Sequence, residues 1–289
     1  MASLELARQG YELFMLMRES EKSKEVYQRV LAAADGGMVH YIPVDLSSMT
    51  ATLDATHQVL AKVKDPRKRG AEKLDLLINN AGVLVREEQR TSEGLELTLA
   101  VNYFAQVVLT RALLPLLRKA DSARIVNVSS GMSKRGKLLY ENNFEQVSYT
   151  GIGAYANSKL LVNYLTYSLS NLCVGGPIVA NCLHPGAVNT GVFREYPKWL
   201  AQIFGIFLLT PKQGAAHLLL PAVNPSLNHY KSEIDKKISG IYFNKSKAIE
   251  LEKILKGPAE AEKVWEQTTS MLRQIPRLES LMEKSFADL

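Results

Sequence analysis

The run Arg124-Ile125-Val126-Asn127-Val128 closes on Ser129-Ser130. A short stretch rich in β-branched apolar residues, stopped by small hydroxyl side chains, is the pattern of a strand covered on both faces, as strands in parallel sheets are. Downstream, Tyr155-Ala156-Asn157-Ser158-Lys159 sets a tyrosine and a lysine four residues apart, on one face of a helix. An ammonium beside a phenol favours the phenolate, so the pair is expected to bring the tyrosine pKa down towards neutrality, where it exchanges protons with a substrate oxygen. Ser130, at the strand end, is placed to hold that oxygen. Alone, this spacing also occurs on any solvated helix face, so its weight depends on its companions.

Outward from that strand the chain alternates. Strands are expected over 11–17, 40–44, 74–79, 124–128, 178–183 and 240–243, and helices over 2–9, 21–33, 49–64, 93–118, 155–172, 211–222 and 259–272. Ser20 reads as the cap of the second helix, Met15 and Met17 as core fillers, and 245–256 as a surface segment. This order predicts right-handed crossovers, one α/β domain over 1–289 and a Rossmann-like, doubly wound parallel sheet. One part of that plan is missing: such folds open on a strand and a glycine turn, and here Met1 leads directly into a helix. The expected sheet therefore lacks its first strand, which leaves its two neighbours with unpaired backbone groups or makes them pair directly.

Ligands of such sheets gather at strand carboxyl ends. Those ends carry Asn79-Asn80-Ala81-Gly82 and Pro185-Gly186-Ala187-Val188-Asn189-Thr190, small enough for close backbone approach, while Asn102 lies in the helix between. Asp45 and Leu46 follow another strand and are placed to touch an adenine. Arg18, also at a strand end, suits a 2′-phosphate, which favours NADP(H) over NAD(H).

Composition narrows the classes. With 46% hydrophobic and 22% charged residues, the chain can bury one substantial core. Its net charge of +6 is dispersed, with a small cluster at Lys62, Lys64, Arg67, Lys68 and Arg69, and no nucleic-acid recognition motif accompanies it. The cluster reads as solvated surface or, less simply, as an attractor of phosphates or anionic lipid. Cys173 and Cys182 sit among apolar neighbours and read as buried thiols in a reducing, cytoplasmic setting. Glu5, Arg8 and Glu12 argue against a secretory leader. His40, His57, His217 and His229 show no metal-ligand spacing, and His184, before Pro185, reads as structural rather than catalytic. The apolar stretch 199–209 is too short to span a bilayer and fits a pocket lid, shallow membrane contact, a homodimer contact or a core helix.

The combination of NNAG at 79–82, Asn102, VNVSS at 126–130, YANSK at 155–159 and HPGAVNT at 184–190 resembles the short-chain dehydrogenase/reductase family over about Ala2 to Trp265. The long stretch between Ser130 and Tyr155, the aromatic segment after Thr190 and Thr210-Pro211-Lys212-Gln213-Gly214-Ala215-Ala216 are similar to its retinol dehydrogenase-like members. The resemblance implies a catalytic tetrad of Asn102, Ser130, Tyr155 and Lys159, with Lys159 also holding the nicotinamide ribose and Asn102 supporting a water relay. It implies cofactor contacts at Arg18, Asp45, Leu46, Asn79, Asn80, Ala81, Gly82, Pro185, Gly186, Val188 and Thr190, and a lid over about 191–215. The implied activity is hydride transfer between NADP(H) and a lipophilic alcohol or carbonyl compound. The family's TGxxxGIG segment, which supplies its first strand and pyrophosphate turn, has no counterpart here, so the chain reads as an N-terminally truncated member. The alternative is a catalytically silent member acting through interaction.

Overall fold

A computed structural model describes residues 1–34, 37–64, 72–186, 209–224 and 238–283. In chain order its regular elements are α1 (Ala2–Arg8), β1 (Leu13–Met17), α2 (Glu21–Leu31), β2 (Val39–Pro43), α3 (Met49–Val63), β3 (Leu76–Asn79), α4 (Leu97–Arg118), β4 (Ala123–Val128), α5 (Gly151–Leu172), β5 (Ile178–His184), α6 (Pro211–Val223), β6 (Ile241–Asn244), β7 (Lys247–Glu250), α7 (Pro258–Arg273) and α8 (Glu279–Glu283). The mostly parallel sheet with helices on both faces is the Rossmann-like architecture expected from the alternation. Local chemistry fixes several starts. Ser20 accepts from the Ser23 amide as predicted, Thr150 caps α5 on Gly153, and Thr210 and Gln213 form a reciprocal capping box with Pro211 at the first turn of α6.

The strands form two sheets rather than one. β1 pairs in parallel with β2, and β3-β4-β5-β6-β7 form the second sheet, parallel through β6 with β7 antiparallel at its edge. Of the two consequences expected from a missing first strand, direct pairing of its neighbours does not occur: β1 and β3 stay apart. Helices tie the halves together instead. On one face α1 packs on α6, which lies over β4 and β5, and on the other α3 packs on α4.

The main core lies beneath α4, α5 and α7, where Leu99, Tyr103, Phe104, Leu161 and Leu165 meet Ile125 and Ala180 of the central strands. Among the described residues α4 alone is long and apolar enough to cross a membrane, but 89% of its apolar window is buried inside the protein, so it is a core helix. Both cysteines are buried and free, and burial pushes the Cys182 thiol up to about 12, far from a reactive thiolate.

The structure corrects the sequence reading in three places. The helix expected from Glu93 begins at Leu97 and carries a π-turn over Ala100–Phe104. Glu93 instead accepts hydrogen bonds from the Met49 and Thr50 amides at the start of α3. The segment expected as surface after Lys245 contains β7, joined to β6 by a tight turn in which Lys245 takes a left-handed φ of 56° without help from glycine. α8 was not anticipated; it is held in place by Arg111, whose guanidinium donates to the Leu281 carbonyl.

Candidate active site

The carboxyl ends of β1 to β5 open onto a cavity of about 1770 Å³. Ser130, Tyr155 and Lys159 line it together. Ser130 ends β4 and caps the following 3-10 turn through Met132, which fixes its rotamer. Tyr155 and Lys159 project from the first turns of α5, both buried, with the lysine Nζ 5.7 Å from the tyrosine ring centroid. The ammonium donates to the Val128 carbonyl at 2.8 Å. Ser129 holds the same helix by donating to the Lys159 carbonyl.

Electrostatics differ from the expectation. Burial pushes the Tyr155 phenol up, and a hydrogen bond from Ser130 only partly offsets that. Burial lowers Lys159 to about 8. The sequence reading assigned the sign from the cation alone; in this structure loss of water on burial is the larger cause of the Tyr155 shift.

Asn102 stands behind the wall rather than in it. Its amide brackets Val83, accepting from the Val83 N–H at 2.7 Å and donating to its carbonyl at 2.9 Å, and it also donates to Ser158 Oγ at 3.0 Å. The π-turn swings it to this position, tying the 80–83 loop to α5. Within that loop, a Cβ added at Gly82 would lie 3.4 Å from both Asn102 Oδ1 and Lys159 Nζ, so a larger residue there would crowd the ammonium.

The expected cofactor residues divide. Arg18, Asp45, Leu46, Asn80, Ala81, Gly82, Pro185 and Gly186 all line the cavity. Asp45 also accepts from the Ser47 amide, and His217 bonds the Pro185 carbonyl at 2.8 Å. Asn79 reaches the cavity wall, but its amide nitrogen is turned into the sheet, donating to Asn127 Oδ1 at 2.8 Å and Thr110 Oγ1 at 3.1 Å. Asn127 in turn donates to Thr166, so Asn79 belongs to a buried polar ladder that spaces β3, β4 and two helices. Val188, Thr190, residues 191–208 of the lid expected over about 191–215 and the basic residues at 67–69 lie outside the described residues, while 211–215 form the start of α6. Among the described residues no three His, Cys, Asp or Glu side chains converge as a metal site would need.

His184, read from the sequence as structural, and Gln106, which escaped that reading, are also wall residues. His184 lines the cavity beside Gly131 and is lowered to about 4 by burial and by the charges of Lys245, His217 and Lys134, so it is neutral at pH 7. Gln106, 2% exposed, also lines the cavity, and neither atom of its side-chain amide has a hydrogen-bond partner. Its signal was one amide in the otherwise apolar run Phe104-Ala105-Gln106-Val107-Val108-Leu109.

A family model described as short chain dehydrogenase matches residues 1–201. The chain belongs to the short-chain dehydrogenase family. Human retinol dehydrogenase 11 is 30% identical over 233 residues, covering 78% of this chain and 71% of the relative. Human polyprenol dehydrogenase is 31% identical over 232 residues, covering 77% and 68%. Retinol dehydrogenases from mouse recur among the relatives, so the resemblance to retinol dehydrogenase-like members holds. The fold is also that of solved structures. A short chain dehydrogenase from Burkholderia cenocepacia in complex with NADP superposes with a TM-score of 0.62 at 21% identity, covering 84% of this chain and 90% of that one. An NADPH-bound carbonyl reductase from chicken fatty liver gives 0.56 at 23% identity, covering 83% and 87%. The family is one of oxidoreductases that use nicotinamide cofactors.

Proposed function

We propose that this protein is an NADP(H)-dependent oxidoreductase that interconverts a lipophilic alcohol and its carbonyl counterpart. The observation that carries the reading is the convergence of Ser130, Tyr155 and Lys159 on one wall of a large cavity. The surrounding residues fit the nicotinamide half of such a cofactor. A Cβ at Gly82 would sit 3.4 Å from Lys159 Nζ, so glycine keeps the space beside the ammonium open, and Lys159 Nζ, which donates to the Val128 carbonyl, is suited to ribose hydroxyls. When bound, the cofactor gives or takes the hydride.

The chain's own groups handle the proton. Ser130 orients the substrate oxygen, and the proton moves at Tyr155 Oη. A phenol kept protonated by burial is the form that donates to a substrate oxygen, and the same group takes the proton back in the reverse reaction. Lys159 stabilises the phenolate left behind, and Asn102 positions the helix and the 80–83 loop that carry these groups. Arg18, at the end of β1 on the cavity wall, supports the preference for a 2′-phosphate. The relatives named for retinol and polyprenol support a small apolar substrate.

The test is NADPH binding to the full chain by cofactor fluorescence, with NADH as comparison, followed by turnover of a panel of apolar aldehydes and ketones. Micromolar NADPH binding with measurable reduction of an apolar carbonyl is the expected result. A folded protein that binds neither cofactor sinks the proposal and leaves the tetrad idle.

A further inference from the structure

Among the described residues, the charges lining the cavity are sorted by position. The acids Glu12, Asp45 and Asp75 flank β1, β2 and β3, whereas around Ser130 the lining charges are Arg135 and Lys159, with neutral His184 beside them. Lys159 is enclosed and donates to the Val128 carbonyl. Arg135 is exposed at the cavity mouth, and among the described residues no acid pairs with it. It ends the 3-10 turn Gly131–Arg135 that Ser130 caps. That turn is fixed on α5: the Lys137 amide donates to Asn157 Oδ1 at 2.8 Å, and a Cβ added at Gly136 would lie 2.6 Å from the Ala156 carbonyl oxygen. The guanidinium therefore starts from a held backbone. Lys134 on the same turn and Lys245 on the β6–β7 turn add to the positive field, since the charges of both act on His184.

We propose that the substrate of this site is an apolar aldehyde or ketone with a carboxylate at its far end, and that Arg135 holds that carboxylate at the cavity mouth. The planar fork of a guanidinium matches the two oxygens of a carboxylate, and a surrounding field of one sign draws the anion to it. Met132 and Ile152, from the turn and from the first turn of α5, give the cavity apolar lining near Ser130. Length follows from the turn. Arg135 lies five residues beyond Ser130, about 10 Å along a 3-10 turn at roughly 2.0 Å per residue. An extended chain covers that distance in about eight or nine bonds, at roughly 3.5 Å for every three. A shorter oxo acid cannot reach Ser130 and Arg135 together. The proposal takes the reacting end from the oxidoreductase reading and the anionic end from Arg135, so the two are tested separately.

Binding without turnover is read first, by calorimetric titration of the full chain, with and without NADPH, using the monoamide of decanedioic acid and its methyl ester. The amide carbonyl stands where the reacting carbonyl would and is not reduced. The acid should bind roughly fivefold or more tightly than the ester, a ratio that falls to about one in Arg135→Ala and partly survives in Arg135→Lys, which keeps the charge without the fork. Turnover is read second: 10-oxodecanoate, NADPH and a proton should give 10-hydroxydecanoate and NADP⁺ with a kcat/KM above that of methyl 10-oxodecanoate, and 5-oxopentanoate should show no such advantage over its ester. Equal binding of acid and ester, no binding of either, or a preference that Arg135→Ala leaves intact overturns the proposal. Equal reduction of 10-oxodecanoate and its ester overturns it while the oxidoreductase reading stands. Selective binding of the acid with no reduction of either compound supports the carboxylate site and sinks the oxidoreductase reading instead.

Discussion

β4 and β1 belong to the same kind of fold and have the same kind of sequence, yet they end in different states. All six residues of β4 are buried, whereas of the five in β1 only Met15 is. β4 has a paired neighbour on each side; β1 has β2 on one side and the cavity on the other. Apolarity does not bury a strand unless neighbours continue the sheet and helices close over it. Ser130, Tyr155, Lys159 and Asn102 all belong to the region around β4 and α5, so the groups proposed to handle the proton are held by the complete part of the molecule. Arg18, Asp45 and Leu46 follow β1 and β2, so the residues proposed for the far half of the cofactor depend on the open part.

The largest effect expected from this contrast is chemical. Tyr155→Phe removes the hydroxyl from the well-packed region and leaves the ring, so kcat/KM for an apolar carbonyl should fall by roughly 10²–10⁴-fold, the usual share of a general acid, with the thermal midpoint unchanged. An activity within threefold of the parent would place the proton donor elsewhere. Arg18→Ala, in the open region, should instead raise the KM for NADPH while leaving that for NADH alone.

Next in size is a difference in stability. Ile125, fully buried in β4, should cost about 2–5 kcal/mol when cut to alanine, by lost burial and the cavity left behind. Leu16, half-buried on the cavity wall, should cost about 1 kcal/mol, because water already reaches part of its side chain. Urea unfolding of the two variants decides it. Equal losses would mean that β1 is as well enclosed in solution as β4.

The sequence made the complete region legible because its signals are local. A strand apolar on both faces, two serines at its end and a Tyr–Lys pair one helical turn apart need no knowledge of the rest of the chain. That the sheet would lack one strand was legible as well, but whether its neighbours would pair directly or stay apart was left open until the two sheets were seen. What escaped depended on long-range packing. Asn79 was read as facing a ligand, but its amide is fixed by Thr110 and Asn127, residues far along the chain. The sign of the Tyr155 shift needed its burial, not its neighbour, and the π-turn that aims Asn102 leaves no mark in composition. Gln106 looked like one polar residue in a helix until the cavity wall was in place.

The smallest expected effect sharpens the contrast by pH. His184 ends β5, inside the complete region, and its folded-state pKa of about 4 lies below the ordinary 6.5. Between those values the unfolded chain binds the proton and the folded one does not, so stability falls as pH drops from 6.5 towards 4. Between pH 6.5 and 5.5 the loss from this one group is about 1 kcal/mol. His184→Gln keeps a neutral polar side chain and removes the titration, so its urea midpoint should drop less over that interval than the parent's. If both proteins lose the same amount, the cost of acid lies in other groups, and the enclosure of the β5 end is looser than its lining of Gly131, Lys134 and Lys245 implies. An equal loss would also weaken the reading that the groups proposed to handle the proton sit in a closely packed region, because His184 shares its wall with Ser130 and Tyr155.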